Sequence, residues 1–234
     1  MDEIRAVLFD VGGPINTEIE HERLIDADIV AVLTDGGIAV TPDEYAAAVA
    51  WAVEHFAPDA HTAIITRLVD GDGRRAEVAY RALRERARGR YPFELREGVS
   101  DVIAWLHGRG LLLGLAANQP ADTLSVLDAH GIGRYFHHRE VSGTHGYRKP
   151  DVRLFLRCCE DLAVTPEQCI MIGDRVDNDM APAKLLGMRT VLFRTGRHIA
   201  QQPRSWEEAP DAEVLDVAEL RAALQAMLGV AQRA

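Results

Sequence analysis

Lysine, cysteine and long apolar runs are all scarce in this chain of 234 residues. Only Lys149 and Lys184 carry ammonium groups, and every other basic side chain is arginine. The cysteines are Cys158, Cys159 and Cys169. An odd count without paired spacing excludes a disulfide framework and points to a reducing compartment, read here as the cytoplasm. Cys158-Cys159 falls in a helical pattern with no His or Cys at ligand spacing, so it reads as core packing rather than metal binding. No apolar run approaches the ~20 residues of a membrane span. The N-terminus leads straight into a strand, without a secretory signal. Positive charge is also short: 26 Lys and Arg face 36 Asp and Glu, a net charge of −10. That balance argues against a general nucleic-acid or membrane-surface binder.

What is present is globular: 47% hydrophobic and 26% charged residues, with length for one large domain or two small ones. The chain is organised around Leu8-Phe9-Asp10-Val11-Gly12-Gly13-Pro14-Ile15. An apolar run stops abruptly at a carboxylate, and two glycines and a proline follow. The run reads as a buried strand, and the glycines and proline as its exit turn. Ligands in open α/β sheets gather beyond the carboxyl ends of strands. A carboxylate there can be a nucleophile or a metal ligand, although taken alone Asp10 reads first as a turn cap.

Residues 16–91 read as an all-helical insert, a cap domain, without a convincing strand. Helical spacing covers residues 19–33 and 45–56; Gly36-Gly37 stops the first helix, and Thr41-Pro42 starts the second. A shorter helix is expected near 60–68 and an arginine-studded one over 74–90, its arginines a solvated face. Residues 1–15 and 92–234 form the core domain. Strands are expected over 111–116, 136–141, 168–172 and 190–193, with helices over 99–107, 121–130, 150–162, 178–186 and 217–228. Residues 195–212 read as loop, and His137-His138 as surface residues on a strand. Alternating strands and helices imply an α/β fold with a parallel sheet and right-handed crossovers.

Asn118, Lys149, and Asp174 with Asp179 lie just beyond strand ends or before a helix, as Asp10 does. A parallel sheet brings such ends to one edge. The carboxylates would then cluster with Lys149 as counter-charge, and oxygen-only ligands suit Mg²⁺. A metal and a lysine beside a nucleophilic carboxylate is what phosphoryl transfer requires.

These segments resemble the haloacid dehalogenase superfamily, in the branch with a helical cap between its first two motifs. The first motif is Phe9-Asp10-Val11-Gly12-Gly13, followed by Asn16-Thr17-Glu18-Ile19-Glu20-His21, which is similar to the opening of the cap. The second ends at Asn118, the third is Gly146-Tyr147-Arg148-Lys149-Pro150-Asp151, and the fourth is Gly173-Asp174 with Asn178-Asp179. The resemblance implies a Rossmann-like core and a Mg²⁺-dependent phosphatase acting on a small phosphorylated molecule. Asp10 would attack phosphorus and form an aspartyl-phosphate. Mg²⁺ would be held by Asp10, the Gly12 carbonyl and Asp174, with Asp179 bound directly or through water. Lys149 would neutralise Asp10 and a phosphoryl oxygen, while Asn118, Ala117, Gly12 and Gly13 line the phosphate. Lys184 matches a family position but reads as structural.

Three positions depart from the family. Gly12 stands where an Asp acts as general acid and base, a function typically worth ~10²–10⁴-fold. Ala117 replaces a hydroxyl residue, and Pro14 replaces Thr or Val. Glu18 is the first choice for a substitute acid, against the plainer reading of a carboxylate at a helix start. Dehalogenation, phosphonate cleavage and mutase activity fit the residues less well. The alternative from another class is a binding or scaffold protein that keeps the pocket without turnover. The sequence leaves monomer and homodimer open.

Overall fold

The computed structural model describes residues 3–87 and 91–229. Five parallel strands form one sheet: β1 (Ala6–Phe9), β2 (Leu112–Leu115), β3 (Cys169–Gly173), β4 (Arg189–Phe193) and β5 (Ala212–Val214). Their order is β2-β1-β3-β4-β5. Every residue of β1 and β3 is buried, as expected for continuous apolar runs covered on both faces. Phe9 lies opposite Leu115 on one side and Ile172 on the other. The central strands therefore end together, and the residues after them emerge at one edge. This doubly wound order places ligands beyond β1 and β3.

The chain divides into two compact units, Met1–Thr17 with Glu94–Ala234, and Glu18–Phe93. The second contains α1 (Ile19–Asp35), α2 (Pro42–Glu54), α3 (Ala60–Leu68) and α4 (Gly73–Ala87). The residues expected to end α1 and start α2 do so. Gly36 caps α1, Gly37 takes a left-handed φ of 77°, and Thr41 and Glu44 form a capping box around Pro42. Ile29, Leu33, Ile64, Ile65 and Leu83 form the centre of this unit's apolar core, with alanines from α2 and α4. On α4, Arg74, Arg75, Arg81 and Arg84 are exposed, as a solvated face requires. Arg86 differs, because it pairs with the buried Asp28 at 2.7 Å. Residues 88–90, expected to complete this helix, lie outside the described residues.

The first unit carries α5 (Val99–Gly108), α6 (Thr123–Ala129), α7 (Ser142–His145), α8 (Val152–Leu162), α9 (Ala181–Leu185) and α10 (Val217–Met227). Its crossings to the helical unit are paired with each other. Thr17 N–H donates to the Glu94 carbonyl (2.9 Å), Arg96 N–H to that of Ile15 (2.8 Å), and Asn16 bridges Leu95. This pairing holds residues 16 and 17 with the core, two residues beyond the boundary drawn from the sequence. No helix among the described residues is long and apolar enough to cross a membrane.

Four local expectations are corrected. Residues 136–141 form no strand: one bridge joins His138 to Gly114, and the chain then turns into α7. Residues 178–186 are not one helix but a π turn, Val176–Met180, followed by α9. Pro182 has no N–H to donate to the Asn178 carbonyl, and the turn before it widens. Within 195–212, Gly196–His198 and Trp206–Glu208 are 3₁₀ turns, and β5 begins at Ala212 as a short edge strand. His138 is buried rather than on the surface, whereas His137 is exposed. Lys184 is structural, bridging to Asp211 at 3.0 Å. All three cysteines are buried and free.

Candidate active site

Asp10 follows β1 without leaving the sheet, because its N–H still donates to the Ile172 carbonyl at 2.8 Å. Its side chain is thereby fixed at the strand end. Oδ1 accepts from Val11 N–H (2.7 Å) and Oδ2 lies 2.9 Å from Lys149 Nζ. Gly12 and Gly13 are both buried in the turn that follows. Among the described glycines, Gly13 takes a left-handed φ (79°) and Gly12 does not. A Cβ on Gly13 would stand 2.7 Å from Asp174 Cβ, so the absence of a side chain is what lets this loop approach Asp174.

Lys149 is fixed by Asn118 beyond β2. The Asn118 amide accepts from Lys149 N–H (2.8 Å) and donates to the Lys149 carbonyl (3.0 Å). Asn118 is thus committed to holding the lysine backbone, while Ala117 beside it is fully buried. The ammonium lies between two carboxylates, 2.9 Å from Asp10 and 2.6 Å from Asp179. Burial would lower the Lys149 pKa, but Asp10 and Asp179 outweigh it and hold it above the usual lysine range.

Asp179 is fully buried, and its Oδ2 accepts from Arg175 N–H at 3.0 Å. Burial, with the Asp10 charge, overrides Lys149 and pushes the Asp179 carboxyl up to about 6. A Cβ on Gly173 would collide with the Asp179 carboxyl, so the Gly173-Asp174 pair serves packing as well as chemistry. Asp10, Asp174 and Asp179 each offer an oxygen within 4.8 Å of the others.

Three supporting residues were not found from sequence. Gln201 accepts from Val176 N–H (2.7 Å) and donates to Asp177 (3.1 Å), which also pairs with Arg175 at 2.6 Å. Arg194 donates to the Gln201 carbonyl and pairs with Glu213 at 3.0 Å. Arg96 donates to the Gly13 carbonyl at 2.8 Å. Arg96 and Gln201 lie 83 and 25 residues from what they support, and no local pattern marks them or Arg194. Glu18, the expected substitute acid, is the N-cap residue of α1, with a left-handed φ of 57°, and opens the helical unit. A second cluster, His138 with Glu140 and Asp161, is more open: Asp161 is exposed and Glu140 is bound to Arg157.

The sequence model of the haloacid dehalogenase-like hydrolase family matches residues 4–187. A glyceraldehyde 3-phosphate phosphatase of Methanopyrus kandleri is 36% identical over 84 residues, 36% of each chain. A phosphoserine phosphatase of Thermus thermophilus is 34% identical over 148 residues, 63% of this chain and 56% of that one. This chain therefore spans between a third and just over half of the length of these curated relatives. Among solved structures, a HAD phosphatase from Thermococcus onnurineus superposes with a TM-score of 0.62 at 25% identity, covering 94% of this chain and 98% of that one.

Proposed function

This chain belongs to the haloacid dehalogenase-like hydrolases, and from that premise we propose that it is a Mg²⁺-dependent phosphatase of small phosphate monoesters, with Asp10 as nucleophile. The observation that carries the reading is the convergence of Asp10, Asp174 and Asp179 beside Lys149 at the carboxyl ends of β1 and β3. The phosphatase names of the relatives support it.

The donor set fits a hard divalent cation, since the three groups are all carboxylates and offer only oxygen. Asp10, Asp174 and the Gly12 carbonyl would hold it, with Asp179 behind, engaged by Lys149 and Arg175. When bound, Mg²⁺ supplies Lewis-acid polarisation of a phosphoryl oxygen. An Asp10 carboxylate oxygen attacks phosphorus, the ester P–O bond breaks, and an aspartyl-phosphate forms. Lys149 balances the carboxylate charge and orients Asp10 during that attack. Water then cleaves the acyl phosphate, regenerating Asp10 and releasing inorganic phosphate. Gly12 offers no side chain to protonate the departing oxygen or to activate the water. Aryl and acyl phosphates, whose leaving groups depart unprotonated, are therefore the favoured substrates over sugar and alkyl phosphates. By family resemblance, the helical unit Glu18–Phe93 acts as the cap that selects among them.

The test is a panel of phosphate esters of graded leaving-group pKa, assayed with Mg²⁺ and with excess chelator. Asp10→Asn should lose roughly 10⁴-fold or more in turnover, the scale for removing a nucleophile, and chelator should abolish activity. Full activity in either case rejects the mechanism. Binding of phosphate and Mg²⁺ without turnover of any ester would instead favour a binding protein, the reading that Gly12 itself recommends.

A further inference from the structure

We propose that Arg96 is a positioning residue that fixes the loop after Asp10, and through it the Gly12 carbonyl assigned above to the metal. The inference rests on the reading of Asp10 and Asp174 as that site. Arg96 Nε donates to the Gly13 carbonyl at 2.8 Å, and Nη2 donates to Thr195 Oγ1 at 3.0 Å. Its guanidinium lies over the buried Phe193 ring, 4.5 Å from the centroid. One planar group thus joins the loop to the end of β4 through two directed hydrogen bonds and a stacking contact.

The loop has particular need of that tie. Pro14 has no N–H, so the peptide that carries the Gly13 carbonyl cannot be anchored from its nitrogen side. Inside the turn, Ile15 N–H (3.2 Å) and Asn16 N–H (2.8 Å) both donate to the Val11 carbonyl and Gly12 bridges Asn16, while the Gly13 carbonyl is taken by Arg96. Gly13 is itself squeezed: an added Cβ would stand 2.7 Å from Asp174 Cβ and 3.1 Å from Thr195 Cγ2. Rotation of the Gly13 peptide would move the neighbouring Gly12 carbonyl. The Arg96 backbone N–H also donates to the Ile15 carbonyl at 2.8 Å, so the guanidinium approaches the loop from a segment already hydrogen-bonded to it. Through these contacts Arg96 acts by holding the backbone of the loop in place.

Arg96→Met keeps an apolar side chain over Phe193 and removes every donor. Arg96→Lys keeps one donor for Gly13, and Thr195→Val removes only the second anchor. Each variant is followed by calorimetric Mg²⁺ titration, by kcat and KM on p-nitrophenyl phosphate, and by thermal unfolding in excess chelator. Supports behind a metal site are typically worth 10–100-fold, so Arg96→Met should weaken Mg²⁺ binding and lower kcat by about 10-fold with KM little changed. Arg96→Lys should recover part of both losses, and Thr195→Val should show a smaller loss in the same direction. Lower thermal stability with Mg²⁺ affinity and kcat as in wild type would make Arg96 a packing residue and overturn the proposal. If Arg96→Met does not fold, unchanged Mg²⁺ affinity in both Arg96→Lys and Thr195→Val overturns it equally. Wild-type protein that binds Mg²⁺ but hydrolyses nothing rejects the phosphatase reading, while the Mg²⁺ titrations still decide the role of Arg96. Wild-type protein that binds no Mg²⁺ rejects both.

Discussion

Two buried aspartates, one in each unit, show opposite uses of a carboxylate. Asp28 in the helical unit is 2% exposed and accepts from Arg86 Nε at 2.7 Å and Tyr91 Oη at 3.0 Å. Arg86 also lies 3.9 Å from Asp35, but that side chain is 76% exposed and water solvates it. Asp28 therefore has a cation largely to itself, and the arrangement is closed. Asp179 in the core accepts from Lys149 at 2.6 Å, yet Lys149 is shared with Asp10, and Asp174 offers a third carboxylate within 4.8 Å. Burial of a carboxylate is thus no mark of chemistry by itself. What sets the core apart is that its carboxylates crowd around a shared lysine at strand ends.

Lys149→Met should sharpen this contrast most. It leaves Asp10 and Asp179 facing each other without their ammonium, and breaking a buried pair costs about 3–5 kcal/mol. Added Mg²⁺ should return part of the lost stability by replacing the missing positive charge, read as a rise in Tm of the variant on titration. Gly12→Asp makes the crowded side more so. Gly12, unlike Gly13, has no left-handed φ to strain an added side chain, and alkyl-phosphate turnover should rise by ~10²-fold as a general acid is restored. A leaving-group series comparing this variant with wild type checks it; good wild-type turnover of sugar phosphates would mean that another group already supplies the proton. Asp28→Asn should have the smallest effect. Arg86 is 39% exposed and rehydrates when its partner is neutral, so the loss should be about 1–2 kcal/mol. That loss should be indifferent to Mg²⁺, with kcat unchanged. Equal losses for Lys149→Met and Asp28→Asn, both insensitive to Mg²⁺, would break the comparison.

The crowded side was legible in the sequence because most of its residues end an apolar run or lie just before a helix. Asp10 terminates β1, Gly173-Asp174 terminates β3, and Lys149 precedes α8. Parallel pairing alone then gathers them. Arg96 was not legible, because its contact spans 83 residues across the helical insertion and no local pattern encodes it. Gln201 was hidden for the same reason, in a polar stretch that reads as loop. β5 escaped because three residues, one an exposed glutamate, carry too little periodicity. The burial of His138 could have been found: adjacent residues in extended backbone point to opposite faces, so of His137 and His138 only one can face water. That buried ring meets Asp161 at 2.9 Å, and burial, opposed by Asp161, lowers its pKa.

The paired crossings have a consequence for how such a chain can change. Asn16 bridges Leu95, and Thr17 Oγ1 donates to Glu94 Oε2 at 3.0 Å. The two segments that leave the core are therefore hydrogen-bonded neighbours, about 5 Å apart. A hairpin turn of roughly two to five residues spans that gap. The whole of Glu18–Phe93 is in this sense an exchangeable cassette, whose docking ends remain knitted together whatever is mounted between them. Recombination, natural or engineered, can shorten, replace or delete it by a single cut-and-join without stretching the sheet that holds Asp10.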